Sequence, residues 1–95
     1  MSGSFERHGR VALIRWDNPP VNGLSFALRQ HLSAARGAAM ADAAIDAIVL
    51  AGEGRMFSGG ADIREFNTPR SVSEPTTPQL IQRIENLGKP VVAAI

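Results

Sequence analysis

With 95 residues the chain forms at most one small domain, and its 44% hydrophobic and 20% charged residues match a globular protein rather than a disordered or fibrous one. A net charge of +1, with ten basic residues spread from Arg7 to Lys89, leaves no electrostatic footprint for nucleic acid. Cysteine is absent, which removes disulfides, thiolate metal clusters and thiol nucleophiles together.

The start, Met1-Ser-Gly-Ser-Phe-Glu-Arg-His8, lacks the apolar core of a signal peptide. The longest apolar runs, around Ala47–Ala51 and Val91–Ile95, are strand-sized, so no membrane span is expected and the default location is the cytoplasm. Val11–Asp17 reads as a strand, with a possible partner in Ser4–Arg7 across a turn at His8-Gly9. The pair Pro19-Pro20 removes two amide donors and ends it. Ser25 is placed to cap a helix running to about Met40, since Leu28, Leu32, Ala35 and Ala39 fall on one helical face.

Ile45–Ala51 is dominated by an apolar run without polar alternation, which predicts a strand buried on both faces of a parallel sheet and completes a β-α-β unit. Gly52–Gly60 is a glycine-rich loop leading into a short helix over Ala61–Phe66. The segment from Asn67 to Pro78, with three prolines, two serines and three threonines, predicts a loop or a mobile lid. Leu80, Ile81, Ile84 and Leu87 mark a second amphipathic helix, closed by Gly88 near its C-cap and by Pro90 beyond. Val91–Ile95 begins another buried-strand run. It stops while still apolar, so the expectation is a truncated domain that is marginal or self-associating when alone.

Glycines after a strand allow close backbone approach, and amides at the start of a following helix are outward donors suited to a phosphate or a developing oxyanion. On spacing alone Gly52–Arg64 reads equally as a plain strand-to-helix turn. The dinucleotide fingerprint fails because Phe57 stands where its third glycine belongs. A P-loop fails because the only lysine is Lys89, and a nucleophile elbow fails because Met56 precedes Ser58 by two positions. His8 and His31 show no metal-ligand spacing, so no metal is expected. Asp62 suits capping of the short helix, and Arg64 is either a solvated charge or a phosphate contact. Trp16 is assigned to packing.

Three ordered segments, Arg15–Ser25, Ala47–Ile63 and Gly88–Ile95, resemble the crotonase (enoyl-CoA hydratase/isomerase) superfamily over nearly all of the chain from Val11. The pairing of Asn18-Pro-Pro-Val-Asn22 with Gly60-Ala-Asp-Ile-Arg-Glu-Phe66 is especially similar to the hydratase part of multifunctional fatty-acid oxidation enzymes. The resemblance implies an α/β fold, a crotonase-like spiral of β-β-α units of which residues 1–95 are the N-terminal portion, and usually a homo-oligomer, trimer or hexamer. It implies an acyl-CoA thioester as substrate, with coenzyme A carried by the substrate and no separate cofactor.

By the same resemblance the backbone N–H of Ala61 is the first donor of an oxyanion hole. Gly60, Ala61, Asp62 and Ile63 meet the adenine and pantetheine, Arg64 reaches a CoA phosphate, and Asn22, Gly23 and Leu24 form part of the CoA-binding wall. Gly23 stands where alanine is common, which is expected only to loosen the loop. The family's second amide and catalytic glutamates have no counterpart here, and neither Glu53, Glu65, Glu74 nor Glu85 occupies a matching position. The expectation is a hydratase or isomerase portion that is inactive by itself. Its rivals are a non-catalytic acyl-CoA-binding or assembly module and half of a nucleotide-binding α/β domain.

Overall fold

The computed structural model describes residues 1–95 and has four strands, two α-helices and two single-turn 3₁₀ segments. Strands β1 (Ser2–His8) and β2 (Val11–Asp17) form an antiparallel hairpin with His8 opposite Val11. Gly9-Arg10 make the connection, with Gly9 at φ +62°, so the turn falls one residue later than the sequence suggests. Helix α1 (Phe26–Ala41) crosses to β3 (Ala47–Gly52), which lies parallel to β2. Helix α2 (Thr77–Glu85) then crosses to β4 (Val91–Ala94), parallel to β3, giving the sheet order β1-β2-β3-β4.

Helix α1 starts where the sequence places it. The Ser25 hydroxyl accepts the Leu28 amide at 3.2 Å, and the stripe Leu28, Leu32, Ala35 and Ala39 is buried against the sheet. The core is completed by Ala12, Ile14 and Trp16 of β2, Ile48 and Leu50 of β3, Ile45 and Leu80. The last turn of α1 carries no basic residue of its own. Lys89, from the approach to β4, donates to the carbonyls of Ala39 and Asp42, each at 2.8 Å, and brings a positive charge to that negative helix end.

The structure corrects three expectations. Strand β3 buries Ile48 and Leu50 on one face only, while Ala47, Val49 and Ala51 remain half-buried, because both helices pack on the same side of the sheet as those two residues. Strand β4 is an edge strand with Val92 57% exposed, not a buried one. Helix α2 ends at an Asn86 cap rather than at Gly88, with Leu80 buried but Ile81 48% exposed.

The expected loop over Asn67–Pro78 also holds more structure than its composition suggests. It contains the 3₁₀ turn Pro69–Val72 and the start of α2, which a capping box between Thr76 and Gln79 secures. No helix is long and apolar enough to cross a membrane.

Candidate functional site: the loop after β3 and its free amide

The loop between Gly52 and Gly60 is fastened to the turn that follows β2. Trp16 Nε1 donates to the Phe57 carbonyl at 2.9 Å, and the two rings meet edge to face at 5.0 Å. Asn22 sits at φ 55° and donates from Nδ2 to the carbonyls of Glu53 and Met56 at 2.9 and 2.6 Å. Ser58 donates its hydroxyl proton to the Asn22 carbonyl at 2.8 Å and accepts the Gly60 amide at 3.1 Å, as suits a loop hydroxyl rather than a nucleophile. Gly52 permits the close approach: a Cβ there would lie 2.4 Å from the Phe57 carbonyl oxygen.

This bracing sets the peptide between Gly60 and Ala61. The Leu24 amide donates to the Gly60 carbonyl at 2.7 Å, within an isolated parallel bridge between Leu24 and Ala61. The peptide is trans, so its N–H points opposite to its carbonyl. With the carbonyl held by Leu24, the Ala61 N–H faces away from the β2 turn. It makes no hydrogen bond within the chain, and Ala61 is exposed. Gly60 adopts φ +94°, a conformation in which L side chains are strained. A free, outward amide on a braced loop is what a developing oxyanion requires.

Asp62 is 7% exposed and caps the following 3₁₀ turn, Ile63–Glu65, by accepting the Arg64 amide at 3.0 Å. The Arg64 guanidinium grips the same carboxylate from Nε at 2.9 Å and from Nη2 at 2.7 Å. These hydrogen bonds outweigh burial and lower the Asp62 pKa from 3.8 to about 2. Its folded-state pKa is depressed, so the stabilisation is fully present above about pH 4 and is lost as pH falls through about 2. Arg64 is 55% exposed, so solvent screening keeps the contribution of the pair modest. The stability gap between the wild type and Asp62→Asn, followed by urea unfolding, should therefore be widest near neutrality and close towards pH 2. A gap that stays constant over that range would refute this assignment.

The sequence-derived residues are brought together around Ala61, although several serve as braces. Asn22 is 3% exposed and points into the loop, and Leu24 packs against the core. Gly23 does more than loosen its segment, since a Cβ there would lie 3.1 Å from the Asp62 backbone, tight enough to press on it. The Arg64 fork is engaged by Asp62, with further contacts to Asn18 and Pro19 at 3.3 Å, rather than turned outward to an incoming phosphate. Ile63 is 76% exposed beside the free amide.

A cavity of about 830 Å³ lies on the neighbouring surface between Asn18, Phe26, Asp62, Arg64 and Thr68, and Ala61 does not line it. Arg29 carries no sequence signal, and Glu65, set aside above as a catalytic glutamate, has a structural role. Arg29 is 3% exposed on α1, and Glu65 accepts the Phe26 amide at 2.9 and 3.0 Å from its two oxygens while approaching Arg29 at 3.4 Å.

Comparison with known proteins bears on the family of the chain. The family profile described as Enoyl-CoA hydratase/isomerase matches residues 6–95. The chain is 48% identical over 85 residues to the peroxisomal bifunctional enzyme of Danio rerio, covering 90% of the chain and 12% of that protein. It is 41% identical over 90 residues to a Bacillus subtilis (strain 168) protein named "Probable enoyl-CoA hydratase", covering 90% of the chain and 35% of that protein. Among solved structures, an enoyl-CoA hydratase/carnithine racemase from Magnetospirillum magneticum superposes with a TM-score of 0.84 at 29% identity, over 98% of the chain and 38% of its own. The chain thus spans well under half the length of each of these proteins.

Proposed function

Because the chain belongs to the enoyl-CoA hydratase/isomerase family, we propose that it is the acyl-CoA-binding portion of an enoyl-CoA hydratase or isomerase of fatty-acid oxidation, with the Ala61 amide donating to the thioester carbonyl. The observation that carries this reading is the peptide following Gly60, whose carbonyl is taken by Leu24 while its N–H is left without an internal partner. When a proton leaves, or water adds, next to a thioester, negative charge gathers on the carbonyl oxygen. A prearranged amide there lowers the barrier, and one such donor contributes about 3–4 kcal/mol.

Acid–base chemistry is proposed to come from glutamates that these 95 residues do not supply. The carboxylates near the amide already have work in the fold: Asp62 holds Arg64, Glu65 holds the Phe26 amide, and Glu53 lies 3.9 Å from Arg15. Farther away, Asp46 pairs with Arg10, Glu6 with His8 and Glu74 with Gln79. A general acid or base must come within hydrogen-bond reach of the reacting atoms, and the two carboxylates flanking the short turn after Ala61, Asp62 and Glu65, are committed to internal donors. The proposal includes coenzyme A carried by the substrate with no other cofactor, assembly as a trimer or hexamer, and residence in the cytoplasm.

Isothermal titration of the 95-residue chain with butyryl-CoA, paired with a hydration assay on crotonyl-CoA, tests the reading. Saturable binding that NAD and ATP do not displace, without turnover, is the expected result. Hydration at an ordinary enzyme rate would overturn the assignment of the acid–base groups elsewhere, and absence of any binding would overturn the acyl-CoA reading itself.

A further inference from the structure

Arg29 is the most deeply buried ionisable side chain, at 3% exposure, and the proposed chemistry makes no use of it. Its guanidinium cannot shed its charge, so burial demands acceptors. It finds them on three segments. Nη1 donates to the Leu24 carbonyl at 2.6 Å, Nε to Pro75 at 2.7 Å and Nη2 to Arg70 at 2.6 Å, with Glu65 completing the shell. A leucine or methionine at this position would pack α1 without desolvating a cation, so helix packing does not account for it. What the fork does is fix the Leu24 carbonyl, on a residue whose own N–H donates to the Gly60 carbonyl.

We infer that Arg29 is a positioning residue for the Ala61 amide, acting through Leu24, and that the same fork couples the orientation of that amide to the Pro69–Pro75 strap. The inference rests on the acyl-CoA reading above. If Leu24 is free to rotate, its N–H leaves the Gly60 carbonyl, and the peptide that presents Ala61 loses its reference. Arg29 also fastens the strap that carries Arg70 and Pro75, so a strap displaced by ligand would pull on the amide through one guanidinium.

The test compares wild type with Arg29→Lys, which keeps the charge but replaces a fork spanning three carbonyls with a single point donor. Each protein is titrated with butyryl-CoA and with S-butyl-CoA, a thioether that lacks the carbonyl oxygen. Wild type is expected to prefer the thioester by roughly two- to tenfold, the size of one net hydrogen bond. Butyryl-CoA should also shift the Ala61 amide resonance. In Arg29→Lys that preference should approach unity and the Ala61 shift should vanish, while thioether affinity stays within about twofold.

Retention of the preference, or a parallel loss of both affinities, would overturn the inference and leave Arg29 a structural residue. A wild type with no thioester preference would instead sink the Ala61 reading, and this inference with it. Should Arg29→Lys lack the wild-type circular dichroism spectrum, Glu65→Gln carries the same comparison. It keeps an acceptor for Phe26, removes the charge facing Arg29, and is expected to lower the ratio part of the way. An unchanged ratio in that variant would count against Arg29 in the same manner.

Discussion

Trp16→Ala is expected to destabilise the chain by about 3–5 kcal/mol, the range for removing a fully buried aromatic side chain. Trp16 is 2% exposed and among the largest buried side chains of the core, so its loss opens a cavity bounded by β2, β3 and α1. A domain of this size holds only about 5–15 kcal/mol in total, and the variant should be partly unfolded at 37 °C. Trp16→Phe separates packing from hydrogen bonding. It preserves most of the ring but leaves the Phe57 carbonyl without its donor, which should cost about 1–3 kcal/mol. In that variant the Gly52–Gly60 loop loses one of its fastenings, so acyl-CoA affinity should fall while the circular dichroism spectrum stays native. Urea unfolding measures the first effect and titration the second. A Trp16→Phe protein with wild-type stability would show that the indole N–H contributes nothing to holding the loop.

The elements read most directly from the sequence are those whose signals are local. The Ser25 cap and the stripe from Leu28 to Ala39 specify α1 without reference to anything distant, and the β2 and β3 strands follow from β-branched and apolar runs bounded by turn residues. The burial of β3 was not legible in the same way. An unbroken apolar run states that a strand is hydrophobic and leaves open which of its faces another layer covers. Here Ile48 and Leu50 meet the helices while Val49 faces the other side of the sheet. Val92 misleads for the same reason, being apolar and 57% exposed on an edge strand. The start of α2 was legible in principle, since Thr76 and Gln79 have the spacing of a capping box, but the prolines around them draw attention to loop character instead.

Within the site, Ala61 and its glycine neighbours were marked by motif, whereas the groups that orient them were not. Arg29 contacts carbonyls 41 and 46 residues away, and backbone carbonyls leave no trace in side-chain identity. Lys89 caps α1 from 47 and 50 residues away, again through carbonyls, so its sequence position next to Pro90 hides its role. Arg64 shows the converse. Its partner Asp62 lies only two residues off, yet whether a guanidinium turns towards a neighbouring carboxylate or out to a ligand depends on the 3₁₀ turn that brings the two together.

Replacing Ala61 by proline provides the sharpest check on the amide itself, because the expected effects on stability and on binding diverge. Proline removes the N–H, and at most positions in a β-bridge that would forfeit a backbone hydrogen bond. The Ala61 N–H has no partner within the chain, and the bridging bond that orients this peptide uses the Gly60 carbonyl, which the substitution leaves in place. Ala61 is exposed, so the ring meets no core. The preceding residue, whose conformation proline normally restricts, is a glycine already at φ +94°. Stability should therefore change by less than about 1 kcal/mol. Binding should suffer more, since the ring carbon replaces the amide hydrogen, blocking the approach of the carbonyl oxygen, and the donor is gone. A loss of at least tenfold for butyryl-CoA, or about 1.4 kcal/mol, is expected. The thioether analogue should be weakened far less. A strongly destabilised variant would mean that the amide is used inside the fold, and an unchanged thioester affinity would mean that the carbonyl oxygen binds elsewhere.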